Sequence, residues 1–316
     1  MRIAGIDIGT NTLRLLIVES TDHAWKEISS DRKMTRLGEG FSKNQKLTPS
    51  AIQRTLEALK SFYRAIQQFH CDEVLCVATS AVREARNQKE FLSLVEKEIP
   101  YKIRVITGEE EARLTWLGVC HSFSPSTDYQ IMIDIGGGST EWILANRERI
   151  LDKISLPIGA VSLTEQFLFS DPPNPNELKH MKSNIRISLA RVEESFLKIL
   201  NPLPSTARIT WVGTAGTVTT LSAMAQKLDQ YSFEKVNGFV LTQSAVASLY
   251  QTMVSIRREE RIGLKGLETG REDIILAGTV ILLETMLYFD FNQIQVSDYG
   301  LREGIIIDWL LQKNRS

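Results

Sequence analysis

Two stretches of the chain carry acids, glycines and hydroxyls in the same order. "IAGIDIGTNTLR" occupies residues 3–14 and "QIMIDIGGGSTE" residues 130–141. Each is an apolar run, then Asp-Ile-Gly, then a hydroxyl-bearing turn, and the two align on Asp7 and Asp134. Gly136, Gly137 and Gly138 let the backbone turn tightly and let its N–H groups approach a ligand closely. Successive N–H groups in such a turn form a concave anion site. Ser139 and Thr140 add side-chain donors there, and Asn11 and Thr12 do the same in the first turn. The natural ligand is phosphate. One such turn alone is explained as well by a hairpin with a glycine bulge. Two matching turns in the two halves favour phosphate.

A third loop points the same way. "WVGTAGTVTTL" (211–221) reads as a strand, a Gly/Thr turn and a helix. Gly213, Thr214, Gly216 and Thr217 stand where a helix N-terminus can receive an anion, although glycine there also allows close packing at a strand-to-helix turn. The acids come next. Asp7, Asp134 and Glu141 flank the turns, and a carboxylate beside a phosphate is repulsive unless a cation lies between them. Mg²⁺ prefers oxygen ligands and is usually held by one or two carboxylates with phosphate and water. Asp134 and Glu141 are therefore candidate metal ligands, with solvated or N–H-capping acids as the bland alternative. "ITGEEEARLTWLGV" (106–119) puts Glu109, Glu110 and Glu111 in the first turn of a helix. The helix dipole explains any one of them cheaply. Consecutive residues project about 100° apart, so only some of the three can face a site. A glutamate there can serve as a general base toward water.

These groups need elements to position them. Residues 2–8 and 13–19 read as strands joined by "GTNT", and 25–40 as a third strand and a loop. Thr48 is a candidate N-cap and Pro49 the first residue of a helix. Apolar residues at Ile52, Leu56, Leu59, Phe62, Tyr63, Ile66 and Phe69 continue it at helical spacing. Strands at 73–79 and 101–106 alternate with helices around 87–98 and from Gly108. The second half repeats the plan, with a hairpin at 129–157, a strand at 208–213 and helices at about 175–200, 217–228, 242–257 and 271–289. This alternation is that of an α/β layer. "HSFSPSTD" (121–128) is the expected hinge.

The chain has 316 residues, with 43% apolar and 24% charged, enough for two domains with sizeable cores. A net charge of −1 gives no basic surface for general nucleic-acid binding. Cys71, Cys76 and Cys120 lack the spacing of a zinc site or a disulfide framework, which fits a reducing cytoplasm. No signal peptide is expected before "IAGID". "IILAGTVILLETMLYF" (274–289) contains Glu284 and is short for a bilayer, so it reads as a buried core helix.

"GIDIGTNT", "ATSAVREA" (78–85), "TGEEEARL" (107–114), "IDIGGGSTE" (133–141), "GTAGT" (213–217), "GREDIILAG" (270–278) and "VSDYGLREG" (296–304) follow one another in this order. Together they resemble the exopolyphosphatase/guanosine pentaphosphate phosphohydrolase family, over essentially the whole chain. The resemblance implies membership of the actin, Hsp70 and sugar kinase superfamily. Its α/β fold has two actin-like (ribonuclease H-like) domains with the active site in a cleft between them. It also implies hydrolysis of a terminal phosphate with Mg²⁺, or Mn²⁺ in its place. The family's catalytic glutamate precedes Ala-Arg and maps onto Glu111. Its acids in the "DIGGGSTE" motif map onto Asp134 and Glu141, and its arginine after "ATSAV" maps onto Arg83, a contact for the phosphoanhydride chain. Arginine suits that role because its planar fork grips phosphate bidentately. Longer members continue into further helical domains, one of them histidine-rich, whereas four histidines occur here. Processive action on very long chains is therefore not expected.

The expected boundaries are 1–124 for the first domain and 125–298 for the second, with the helix 299–316 packing back on the first. The expected activity is release of orthophosphate from short inorganic polyphosphate. A guanosine pentaphosphate phosphohydrolase, a superfamily kinase and a non-hydrolytic alarmone sensor are the alternatives. Partners are the phosphate substrate and a second copy in a homodimer, with neither nucleic acid nor membrane.

Overall fold

The structure, a computed structural model, describes residues 1–21, 25–122, 127–204 and 206–313. Of the expected hinge at 121–128, residues 123–126 lie outside the described residues. In chain order the elements begin with β1 (Arg2–Ile8), β2 (Thr12–Ser20), β3 (Trp25–Met34), α1 (Phe41–Asn44), α2 (Pro49–Gln68) and β4 (Glu73–Ala78). Then come α3 (Ser80–Arg83), α4 (Gln88–Glu98), β5 (Ile103–Val105) and α5 (Gly108–Ser122). The middle of the chain forms β6 (Tyr129–Ile135), β7 (Thr140–Asn146), β8 (Ile150–Leu156), α6 (Ala160–Phe167), α7 (Pro175–Leu200), β9 (Ile209–Thr214) and α8 (Ala215–Ala225). The rest is α9 (Phe233–Val236), β10 (Val240–Thr242), α10 (Gln243–Val254), α11 (Arg258–Arg261), α12 (Ile275–Tyr288), β11 (Gln293–Val296) and α13 (Leu301–Lys313).

The chain divides into two compact units, Met1–Gly118 with Leu301–Ser316, and Val119–Gly300. The first holds a sheet of order β3-β2-β1-β4-β5, the second a sheet of order β10-β11-β9-β6-β7-β8. In each, a central strand (β1 or β6) pairs antiparallel with the next strand and parallel with a later one, β4 or β9. Read from β8 to β11, the second sheet repeats the order of the first. The repeat seen in the two turns therefore extends to whole sheets.

Period-two patterning explains how the first unit packs. Ala4, Ile6 and Ile8 of β1, with Leu13, Leu15 and Ile17 of β2, join a core closed by α2 and α4. The alternate residues Ile3, Leu16 and Val18 face Ile306 of α13. α2 starts as its sequence dictates: the Thr48 hydroxyl accepts from the Ala51 N–H at 3.3 Å, and Pro49 follows. Gly304 lets α13 approach α5, because a Cβ there would lie 1.8 Å from the Leu114 carbonyl oxygen. Arg113 locks the same pair of helices with a two-pronged bridge to Asp308, at 2.7 and 3.0 Å. In the second unit α12 is buried from Ile275 through Met286 and packs on α7 and α10. No described helix is long and apolar enough to cross a membrane.

Candidate active site

The two aspartate turns share one hydrogen-bond plan. Gly9 N–H donates to the Thr12 carbonyl at 3.1 Å, and Gly136 N–H donates to the Ser139 carbonyl at 3.0 Å. Both bonds join the second and fifth residues after the aspartate. A Cβ on either glycine would come within 3.0 Å of that same carbonyl, which is why glycine is required at both positions.

Each turn then has its carbonyls taken up from behind. The Thr10 oxygen accepts from Gly38 N–H, and the Asn11 oxygen from Thr35 and Arg36 N–H. In the second turn the Gly136 oxygen accepts from Ala160, and the Gly137 oxygen from Val161 and Ser162, all in the first turn of α6. The N–H groups of Thr10, Asn11, Gly137 and Gly138 donate to nothing among the described residues. Asn11 Nδ2 and Thr12 Oγ1 are likewise buried without a hydrogen-bond partner there. Carbonyls satisfied on one side and donors open on the other make a positive concavity of the kind that binds phosphate. Buried open donors are costly unless a ligand fills them.

The hydroxyls of the second turn are already committed. Ser139 Oγ donates to Glu141 at 2.7 Å, and the Thr140 hydroxyl donates to the Ile158 carbonyl. In this turn the open donors are thus main-chain N–H groups. Gly159 holds the turn in place, since a Cβ there would fall 2.4 Å from the Gly137 oxygen. Its φ of −131° suits any residue, so the constraint is steric alone. Gly159→Ala is expected to force the turn outward, lowering stability by roughly 1–3 kcal/mol as overpacking does and weakening phosphate binding with it. Thermal unfolding and a tripolyphosphate titration check this; an unchanged melting temperature and affinity would show that the turn yields freely.

Asp134 and Glu141 stand directly opposite each other across the β6–β7 pair. Both are buried, at 8% and 1% exposure. Side chains opposed in this way have Cβ atoms about 5 Å apart, and like charges so placed repel. Two hydroxyls ease the burden on Glu141: Ser139 Oγ and Ser155 Oγ both donate to its Oε1 at 2.7 Å. Ser155, on the third strand β8, carried no signal in the sequence, because its role depends on a register set across three strands. An oxygen-only pair of buried acids beside an open phosphate turn suits Mg²⁺, which takes the rest of its ligands from phosphate and water. Among the described residues no group of three or more His, Cys, Asp or Glu could hold a metal without such help. The first turn differs at this point, because Arg14 faces Asp7 where Glu141 faces Asp134.

Of the three acids opening α5, the structure separates one from the others. Glu109 is exposed, and Glu110 pairs with Arg104 at the surface. Glu111 is buried, with 8% exposure, and its Oε2 accepts from Arg83 Nη1 at 2.9 Å. The same Arg83 Nη1 also donates to the Ile106 carbonyl at 3.1 Å. Glu84, 3.8 Å from Arg83, has its carboxyl pushed upward by burial, an effect Arg83 opposes. The first turn adjoins α3, the helix that carries Arg83: Thr10 Oγ1 and Ser80 Oγ lie 2.9 Å apart. Cys76, in the next strand, is buried, and burial together with Asp7 drives its thiol upward, as befits a structural cysteine.

The third loop is braced from below. Thr214 donates its hydroxyl hydrogen to the Tyr299 carbonyl at 2.9 Å. Ala215 takes φ +65°, an uncommon conformation for a residue with a Cβ and a form of stored strain. Gly216 lies against the buried Arg271 guanidinium, where a Cβ would come 2.5 Å from Nη2. Arg271 in turn pairs with Glu268 at 2.8 Å. Arg271 was not among the candidates read from the sequence; the "GREDIILAG" string was the one signal that could have found it.

With this geometry established, comparison with known proteins gives a consistent result. The model of the Ppx/GppA phosphatase family matches residues 16–313. A bifunctional 3-dehydroquinate synthase/phosphatase of Fusobacterium nucleatum is 36% identical over 98% of this chain, which spans 47% of that protein's length. Exopolyphosphatase 2 of Mycobacterium tuberculosis is 31% identical, with 97% of this chain and 98% of the relative covered. Among solved structures, the Aquifex aeolicus member of the Ppx/GppA family superposes with a TM-score of 0.81 at 35% identity, covering 100% of this chain and 99% of that one. The repeated sheets are accordingly those of the actin-like two-domain fold, and the chain belongs to the Ppx/GppA phosphatase family.

Proposed function

We propose that this protein is an exopolyphosphatase that removes the terminal orthophosphate from inorganic polyphosphate, with short chains favoured. The observation that carries the reading is the pair of turns whose carbonyls are satisfied while their N–H groups stay open. Phosphoryl transfer asks mainly for positioning and charge neutralisation, and such donors supply both. Asn11, Thr12 and the N–H groups of Gly137 and Gly138 hold phosphoryl oxygens. Arg83 holds Glu111 and contacts the phosphate chain. The Glu111 carboxylate accepts a proton from water as the water oxygen bonds to the terminal phosphorus. The bridging P–O bond breaks, and its oxygen leaves on the shortened chain. Asp134 and Glu141 are the residues that would hold Mg²⁺ or Mn²⁺, which when bound neutralises charge on the phosphoryl oxygens. Three free cysteines agree with a cytoplasmic setting.

A guanosine pentaphosphate 5'-phosphohydrolase is the second reading, since that substrate also ends in a phosphoanhydride. The test is orthophosphate release from polyphosphates of defined length, guanosine pentaphosphate and ATP, side by side and without an acceptor. Polyphosphate is expected to be cleaved with the highest kcat/KM. Faster release from guanosine pentaphosphate would favour the second reading, and no release without an acceptor would point to a kinase.

A further inference from the structure

The second unit carries a groove of about 580 Å³ that shares no residue with the glycine turns. It lies along α7 and α12, and Lys179, Lys182 and Arg186 line it with Tyr250 and Glu284. The three cations stand at positions i, i+3 and i+7 of α7, one helix face. Glu284 is 2% exposed and is the one charged residue of the mostly apolar, buried α12. Its partners reach solvent, with the Arg186 and Lys182 side chains 56% and 32% exposed, so the buried carboxylate holds cations at the groove surface.

What Glu284 does is orient the cations. Arg186 Nε donates to its Oε2 at 2.6 Å, and Lys182 Nζ lies 3.7 Å from its Oε1. The Nη donors of Arg186 bond to nothing among the described residues, and Lys179 has no acidic partner there. A guanidinium anchored through Nε presents its outer fork in a fixed direction, the arrangement that grips phosphate. Three cations around one carboxylate leave the groove positive. The Tyr250 ring is covered by Lys182, 4.5 Å from its centroid, so that face does not stack a nucleobase.

We propose that this groove is a second binding site, for an oligophosphate anion. The choice of oligophosphate over another polyanion rests on the hydrolase reading above. Because the groove binds through lysine and arginine, binding there needs no metal. The experiment is calorimetric titration of the full chain with inorganic tripolyphosphate in EDTA, with GTP as a second probe. The wild type is expected to bind tripolyphosphate, and Lys179→Glu/Arg186→Gln to weaken binding by about tenfold per altered cation. Glutamine at 186 keeps a donor for Glu284. The double variant is expected to release orthophosphate from tripolyphosphate at the wild-type kcat, as its changes lie outside the turns. Independently of that variant's folding, tripolyphosphate is expected to protect Lys179 and Lys182 of the wild type from acetylation. No metal-free binding, equal affinity in the folded double variant, or no protection of those lysines would overturn the proposal. GTP binding tenfold tighter than tripolyphosphate would also overturn it, because a base would then be read. A chain that binds in EDTA but never releases orthophosphate would refute the hydrolase reading and leave the groove standing.

Discussion

Glu111→Gln is expected to lower orthophosphate release by roughly 10²–10⁴, the usual worth of general acid–base catalysis. Glutamine keeps the length and shape of the side chain and can still accept from Arg83 through its amide oxygen. What it loses is the ability to take a proton from water. Substrate affinity should therefore survive while kcat falls, the pattern of an interaction made only in the transition state. Glu110→Gln is the matched control. That acid is half exposed and pairs with Arg104 at the surface, where ion pairs contribute little. Its turnover should stay near the wild-type value. Measuring kcat and tripolyphosphate affinity for both variants decides the matter. Normal turnover in Glu111→Gln would remove that residue from the proposed role and return attention to Glu109 and Glu110.

Asp134→Ala and Glu141→Ala are each expected to raise the Mg²⁺ concentration for half-maximal activity by about 10–100-fold, the cost of losing a metal's ligand or its supporting shell. The two acids face each other across β6 and β7 and are both buried. Removing either weakens the field that would hold a divalent cation. Glu141→Ala carries a structural cost as well, because the Ser139 and Ser155 hydroxyls lose their shared acceptor. A hydroxyl left unpaired in the interior costs about 1–3 kcal/mol. Glu141→Gln separates the two effects, since it keeps an acceptor oxygen and drops the charge. It should fold like the wild type and still need more Mg²⁺. If neither substitution moves the Mg²⁺ titration of the folded protein, these acids have no metal to hold.

The sequence by itself determined those features whose causes are local. Asp-Ile-Gly followed by a hydroxyl turn occurs twice, and the folded turns share one hydrogen-bond plan because glycine is needed at the same step in each. Thr48 and Pro49 begin α2 because an N-cap hydroxyl and a fixed φ act within a few residues. The run at 274–289 forms a helix buried from Ile275 through Met286 because its apolar residues there cover every face.

Tertiary structure decided everything that depends on residues far apart in the chain. The sequence offered three adjacent glutamates, and only folding sets Arg83 beside Glu111 while leaving Glu109 in solvent. Ser155 reaches Glu141 through the register of three strands, and the strands β10 and β11 are too short to show a period at all. Which donors stay open is likewise a long-range outcome. Thr140 and Thr214 look like free hydroxyls in a string of letters, yet each is turned to a backbone carbonyl supplied by a distant segment. The N–H groups of Gly137 and Gly138 are left outward because α6 takes up the carbonyls behind them. A motif fixes which groups are available. Packing fixes which of them are already used, because a buried polar group bonds to whatever the fold brings within reach.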